Sequence, residues 1–128
     1  MRVLLDTHLI LWWEAGHPAL PDQAREWIEC SDEGVFLSRA SLWEMAIKIS
    51  LGRLKLDLEE FIRNTEQQGF RWLDITNAHV LAVAALPVYE DHRDPFDRLL
   101  VAQSQTEPLI LLTVDAKLGR YGTSVRVL

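Results

Sequence analysis

Leu109-Ile110-Leu111-Leu112-Thr113-Val114-Asp115 is the stretch whose reading decides the fold. A short uncharged run of branched side chains is the pattern of a strand buried on both faces, and such strands belong to parallel sheets covered by helices. The run stops on an acid, and the start of the chain repeats the arrangement: Arg2 to Leu5 reads as a buried strand ended by Asp6-Thr7. Between these two strands the pattern alternates. Leu9 to Trp13 is an apolar helical run, followed by a Gly16-His17-Pro18 loop and a helix from Pro21 to Cys30, with Pro21 at its first position. Val35-Phe36-Leu37 is a short strand. Ser41 to Leu51 is a helix ended by Gly52, with Leu42, Met45, Ala46 and Ile49 on one face. Asp57 caps a helix that runs through Phe61 and Ile62 and stops near Gly69. Phe70 to Ile75 alternates like a strand, and Thr76 caps a helix from Asn77 to Leu86. After a loop from Pro87 to Arg93, Asp94-Pro95 opens a helix carrying Phe96, Leu99, Leu100, Ala102 and Gln103. A short helix from Asp115 to Arg120 and a last strand from Ser124 to Val127 complete the chain. The expected class is α/β: a central parallel sheet flanked by helices in three layers, as one domain over residues 1–128.

Bulk properties narrow the function. The chain has 128 residues, 48% of them hydrophobic and 25% charged, which is ordinary for a soluble globular domain. No continuous apolar stretch is long enough to span a bilayer, and Asp6 interrupts the N-terminal apolar run too early for a secretion signal. Cys30 is the single cysteine, which excludes an intrachain disulfide and a cysteine-cluster zinc site. A cytoplasmic protein is the expectation. The net charge of −6 argues against extended binding to a phosphate backbone. It argues little against metal-dependent phosphodiester chemistry, because two divalent ions would offset most of it where a phosphate docks.

Four acids share one topological address. Asp6 and Asp115 each follow a strand directly. Glu44 falls in the first turn of the helix after Val35–Leu37, and Asp97 in the first turn of the helix opened by Pro95. In an open parallel sheet, strand C-termini and helix N-termini gather on one edge, where ligands bind. Each acid also has a purely structural reading. Ser41-Leu42-Trp43-Glu44 matches a capping box, Asp94-Pro95-Phe96-Asp97 resembles one with Asp as cap, and Asp6 and Asp115 fit simple N-caps. Convergence separates the two readings. Close carboxylate pairs near a surface repel by up to about 4 kcal/mol before screening, a cost that scattered caps avoid. A cluster persists only if protonation, a basic side chain or a metal offsets the charge, and carboxylates with water suit Mg²⁺ or Mn²⁺.

At these residues the chain resembles the PIN-domain ribonucleases, in particular the VapC-type toxins of bacterial toxin–antitoxin pairs. Leu4-Leu5-Asp6-Thr7-His8, Ser41-Leu42-Trp43-Glu44-Met45-Ala46, His92-Arg93-Asp94-Pro95-Phe96-Asp97-Arg98 and Leu111-Leu112-Thr113-Val114-Asp115 carry the resemblance, in the family's order and over essentially the whole chain. It implies a five-stranded parallel sheet, Mg²⁺ or Mn²⁺ at the acids, cleavage of RNA, a homodimer, and a small antitoxin that blocks the site. By position, Asp6, Glu44 and Asp97 match the family's core acids and Asp115 the less uniform fourth. Thr7, Thr113 and Asp94 are candidate supporting residues, and Asp94 could replace or assist Asp97. His8 stands where many relatives have a small hydroxyl residue.

The implied reaction is hydrolysis of a phosphodiester by metal-activated water, with the protein positioning groups rather than supplying a nucleophile. No membrane contact and no direct DNA binding are expected. His8, His17, His79 and His92 lack paired metal-ligand spacing and read as loop or surface residues. His92 and Arg93 could contact a phosphate or simply be solvated. Lys48 pairs with Glu44 at i,i+4 and reads as structural. Adjacent Trp12 and Trp13 cannot both face one core, so one of them meets another chain or a second helix layer. Leu9 to Trp13 with the Trp43–Ile47 stripe is the candidate groove for the antitoxin. Two rivals stand beside the ribonuclease: a Mg²⁺-dependent Rossmann-like phosphohydrolase, disfavoured because Asp6-Thr7-His8 lacks the second acid of aspartyl phosphatases, and an inactive PIN-like binding module.

Overall fold

In the computed structural model, which describes residues 2–128, both acid-terminated runs form inner strands of one sheet. The strands are β1 (Val3–Leu5), β2 (Val35–Ser38), β3 (Arg71–Leu73), β4 (Ile110–Thr113) and β5 (Val125–Val127). Their order is β3-β2-β1-β4-β5 and every pairing is parallel. Leu4 aligns with Phe36 on one side and Leu111 on the other. From β1 the chain winds outward through β2 and β3, then returns to the other side of β1 for β4 and β5. That reversal makes the gap between the C-terminal ends of β1 and β4 the switch point where open α/β sheets bind ligands.

Six α-helices and a 3₁₀ helix connect the strands: α1 (Thr7–Ala15), α2 (Asp22–Cys30), α3 (Arg39–Ser50), α4 (Leu58–Gln67), α5 (Asn77–Ala85), α6 (Pro95–Thr106) and the 3₁₀ helix Ala116–Tyr121. Because strand side chains alternate, the sheet divides the core into two clusters. Val3, Leu5, Leu37 and Leu112 pack with Leu9, Ile10, Ile28, Met45 and Phe61 from α1 to α4. Leu4 and Leu111 pack with Leu100, Val101, Leu118 and Tyr121 from α6 and the 3₁₀ helix. The three-layer α/β expectation holds. Gly16 closes α1 at φ 60°, a left-handed conformation that glycine adopts without a Cβ penalty, and its N–H reaches back to the Trp12 and Trp13 carbonyls.

Two helices differ from the sequence reading in their caps. Pro21 is the N-cap of α2, not its first helical residue. Helix α3 begins at Arg39, two residues before the expected Ser41, and its cap is Ser38, whose Oγ accepts the Ala40 N–H at 3.0 Å. The capping box at Ser41 therefore does not form. Ser38 ends β2 and can cap at once, while Ser41 is buried and its Oγ accepts a 2.8 Å hydrogen bond from the Thr7 hydroxyl. Glu44 consequently lies in the second turn of α3, outside any cap.

Candidate active site

One pocket of about 350 Å³ is lined by Asp6, Glu44, Asp97 and Asp115 together with Asp94, Thr7 and Lys48. Asp6, 4% exposed, leaves β1 and caps α1: Oδ1 accepts the His8 N–H at 3.0 Å and Oδ2 the Thr113 hydroxyl at 2.6 Å. Thr113 Oγ1 in turn accepts the Asp115 N–H at 3.1 Å, so one β4 side chain ties together the ends of both inner strands. Asp115 caps the 3₁₀ helix through Oδ1 to the Lys117 N–H. Asp94 caps α6, accepting the Asp97 N–H at 2.9 Å. Three of these acids are thus genuine caps and still line the pocket. Capping does not compete with clustering, because helices that begin at one sheet edge carry their caps to that edge.

The charge this gathers is visible on Asp97. Burial first, then the charges of Asp94, Asp6, Glu44 and Asp115, push its carboxyl up to about 7. Against five carboxylates the pocket lining offers one lysine, Lys48, whose Nζ lies 3.2 Å from Glu44. The Glu44–Lys48 pair expected along the helix is present, and it lines the pocket rather than a remote surface. An oxygen-rich donor set short of positive charge fits a hard divalent cation, by the chemistry of its ligands. Asp94 and Asp97 also separate here: Asp94 is an exposed cap, whereas Asp97 is half-buried and faces the other acids.

Thr113 supplies a direct test of this framework. Thr113→Val keeps the shape but removes the donor to buried Asp6 Oδ2 and the acceptor of the Asp115 N–H, and a stranded buried polar group costs about 1–3 kcal/mol. Urea unfolding of Thr113→Val is expected to show that loss, and Thr113→Ser to recover most of it. A valine variant as stable as the wild type would mean that the Asp6–Thr113 bond contributes nothing.

The remaining aromatic and histidine residues fall differently from expectation. His79 is buried within α5, and His92, which lies in the loop before α6 as expected, is buried there and not exposed. His79 closes the Thr76 capping box, accepting the Thr76 N–H at Nδ1, with Nε2 2.5 Å from Glu107 of the α6 C-terminus. The threonine cap followed three residues later by histidine was the signal for it. His92 Nε2 lies 3.3 Å from Asp97 Oδ2, a contact that only its position just before the acid-bearing helix hinted at. Trp12 lines the acidic pocket and stacks on His17, while Trp13 turns to Phe70 and donates its indole N–H to Gln68. Leu9 and Ile10 are wholly buried, whereas Leu11, Trp12 and Trp13 are half-buried, so of the run from Leu9 to Trp13 only the second part reaches the surface. Trp43, 58% exposed, packs edge-on against Phe96, and Ile47 is half-buried.

The PIN-domain family model matches residues 3–123, nearly the whole chain and a span that includes the four acids. The chain belongs to the PIN-domain family. Among solved structures, this PIN domain is similar to a chain of a toxin–antitoxin complex from Klebsiella pneumoniae, at 19% identity and TM-score 0.70, covering 98% of this chain and 96% of that one. It is also similar to a chain of VapBC2 from Rickettsia felis bound to a promoter DNA fragment, at 16% identity and TM-score 0.75, covering 100% and 98%. A third likeness is to FitAcB from Neisseria gonorrhoeae, at 21% identity and TM-score 0.62, covering 92% and 90%. At these identities the likeness is one of fold. No curated protein sequence matches the chain. Among the described residues, no helix of this PIN domain is long and apolar enough to cross a membrane.

Proposed function

We propose that this PIN domain is a divalent-metal-dependent endoribonuclease that acts as the toxin of a toxin–antitoxin pair. The observation that carries the reading is the convergence of Asp6, Glu44, Asp97 and Asp115 on one pocket with too little positive charge to balance them. Family membership supports a nuclease, and the named assemblies of the structural neighbours support an antitoxin partner.

Asp6, Glu44, Asp97 and Asp115 would hold Mg²⁺ or Mn²⁺, which supplies Lewis-acid polarisation of a phosphate and lowers the pKa of water. The protein's own groups provide position. Thr113 and the His8 N–H orient both oxygens of Asp6. Thr7, bonded to Ser41, locks the start of α1 to α3 and so holds Asp6 and Glu44 at a constant separation. Lys48, 3.2 Å from Glu44, would offer a cation beside the acids to an RNA phosphate. Hydrolysis joins a water oxygen to phosphorus and breaks the bond to O3′. Water is the nucleophile in this reading, in keeping with a lining that holds no serine–histidine or cysteine–histidine pair.

The reading includes a homodimer and an antitoxin in the cytoplasm, and no direct contact of this chain with DNA. Exposed apolar side chains on α3 and α5, Trp43, Val80 and Leu81, support protein partners. Purified protein with Mn²⁺ is expected to cut an RNA oligonucleotide internally and to leave a phosphomonoester intact. Glu44→Gln, which keeps the fold because Glu44 caps nothing, is expected to lower the rate at least about a hundredfold. Cleavage of a phosphomonoester alone would favour the phosphohydrolase rival, and hydrolysis of neither the inactive binding module.

A further inference from the structure

The loop before α6 is bound on every side. Arg98 donates to the Pro87 carbonyl at 2.7 Å, Arg120 grips Asp91 with both Nη atoms at 2.6 and 3.1 Å, and the His92 N–H reaches the Tyr89 carbonyl at 3.1 Å. These ties deliver one side chain to the pocket. The His92 imidazole is 5% exposed, with Nδ1 2.8 Å from the Tyr121 hydroxyl and Nε2 3.3 Å from Asp97 Oδ2. Tyr121 Oη also receives an Arg98 N–H at 3.3 Å, and arginine can only donate. A phenolic hydrogen aimed at His92 Nδ1 completes this chain and leaves the ring proton on Nε2, facing the carboxylate.

We propose that His92 is a positioning residue for Asp97: its Nε2–H, placed by Tyr121 and Arg98, holds Oδ2 and aims the carboxylate into the pocket. The inference rests on the metal-site reading above. Asp97 is repelled by every acid it faces, and its side chain could relieve that repulsion by rotating toward solvent. A hydrogen bond from a ring that is itself buried and anchored opposes the rotation. Here His92, Asp97 and Asp115 each bring a ligand-type atom within 4.8 Å of the others.

The experiment combines Mn²⁺ titration calorimetry on metal-free protein with ¹⁵N NMR of labelled histidine. The wild-type His92 ring is expected to be the Nε2–H tautomer, and Tyr121→Phe to redistribute the proton. His92→Leu is expected to weaken Mn²⁺ binding about 10–100-fold, the usual cost of losing a group that orients a metal ligand. His92→Gln, whose amide can still donate to Asp97, is expected to restore affinity to within a few-fold. A wild-type Nδ1–H tautomer overturns the proposal, as does a leucine variant that binds Mn²⁺ normally or a glutamine variant as weak as leucine. If His92→Leu does not fold, the wild-type and Tyr121→Phe tautomers decide. Wild-type protein that binds no Mn²⁺ overturns the metal-site reading instead, and the tautomer still judges the His92–Asp97 bond.

Discussion

Metal-free Asp97→Asn protein is expected to be more stable than the wild type at pH 8, by up to about 4 kcal/mol, and no more stable at pH 4. The sign follows from the direction of the Asp97 shift, from an ordinary 3.8 up to about 7. Between those values the folded protein binds a proton at Asp97 that the unfolded chain has already released. Raising the pH through this window therefore favours unfolding, and above about 7 the whole penalty of holding a buried carboxylate among other acids is in force. Asparagine is nearly isosteric and carries no charge, so it removes the penalty only where the carboxylate would be ionised. Urea unfolding of both proteins in chelator at the two pH values measures the difference. Parallel pH profiles would show that Asp97 does not feel the cluster. A uniformly less stable variant would give the side chain a structural role in place of a chemical one.

Metal is expected to narrow that difference. Mn²⁺ at a hundredfold excess over its dissociation constant is expected to stabilise the wild type by about 2.7 kcal/mol, simply because only the folded state binds it. Asp6→Asn and Asp97→Asn are expected to lose that response, the second while keeping its gain in chelator. A carboxylate must release its proton to accept a cation, so wild-type affinity is expected to rise as the pH passes from 6 to 8 and to level off above the Asp97 pKa of about 7. Thermal unfolding in chelator and in Mn²⁺, repeated across that range, tests each part. A metal response that survives both substitutions would move the ion away from these acids.

The fold class and the acids were legible because they depend on local pattern. An uncharged run such as Leu109 to Val114 has nowhere to go but the middle of a covered sheet, and turn residues after strands are where such a sheet exposes polar groups. The helix boundaries were less legible. Ser38 and Ser41 are equally good caps on paper, and the choice of Ser38 depends on where β2 stops pairing with β3, at the Ser38–Leu73 register. That shift took Glu44 out of its capping role, which the four-residue pattern alone had no means to do. The burial of His79 and His92 was missed for a related reason: a lone histidine without paired ligand spacing reads as exposed by default, and only a partner distant in sequence, Glu107 or Tyr121, gives it a buried place.

By itself, then, the sequence determined the alternation of strand and helix, the parallel sheet and the positions of Asp6, Glu44, Asp97 and Asp115 near its edge, since periodicity and capping chemistry act over a few residues. Only the tertiary structure decided that these acids share one pocket, that Thr113 bridges Asp6 and Asp115, that Trp12 and Trp13 part company, and that His92 reaches Asp97. Those outcomes depend on strand order, with β4 laid beside β1 across most of the chain, and on the summed repulsion and burial that follow from it. Long-range proximity and desolvation are properties of the packed chain, and no local pattern encodes them.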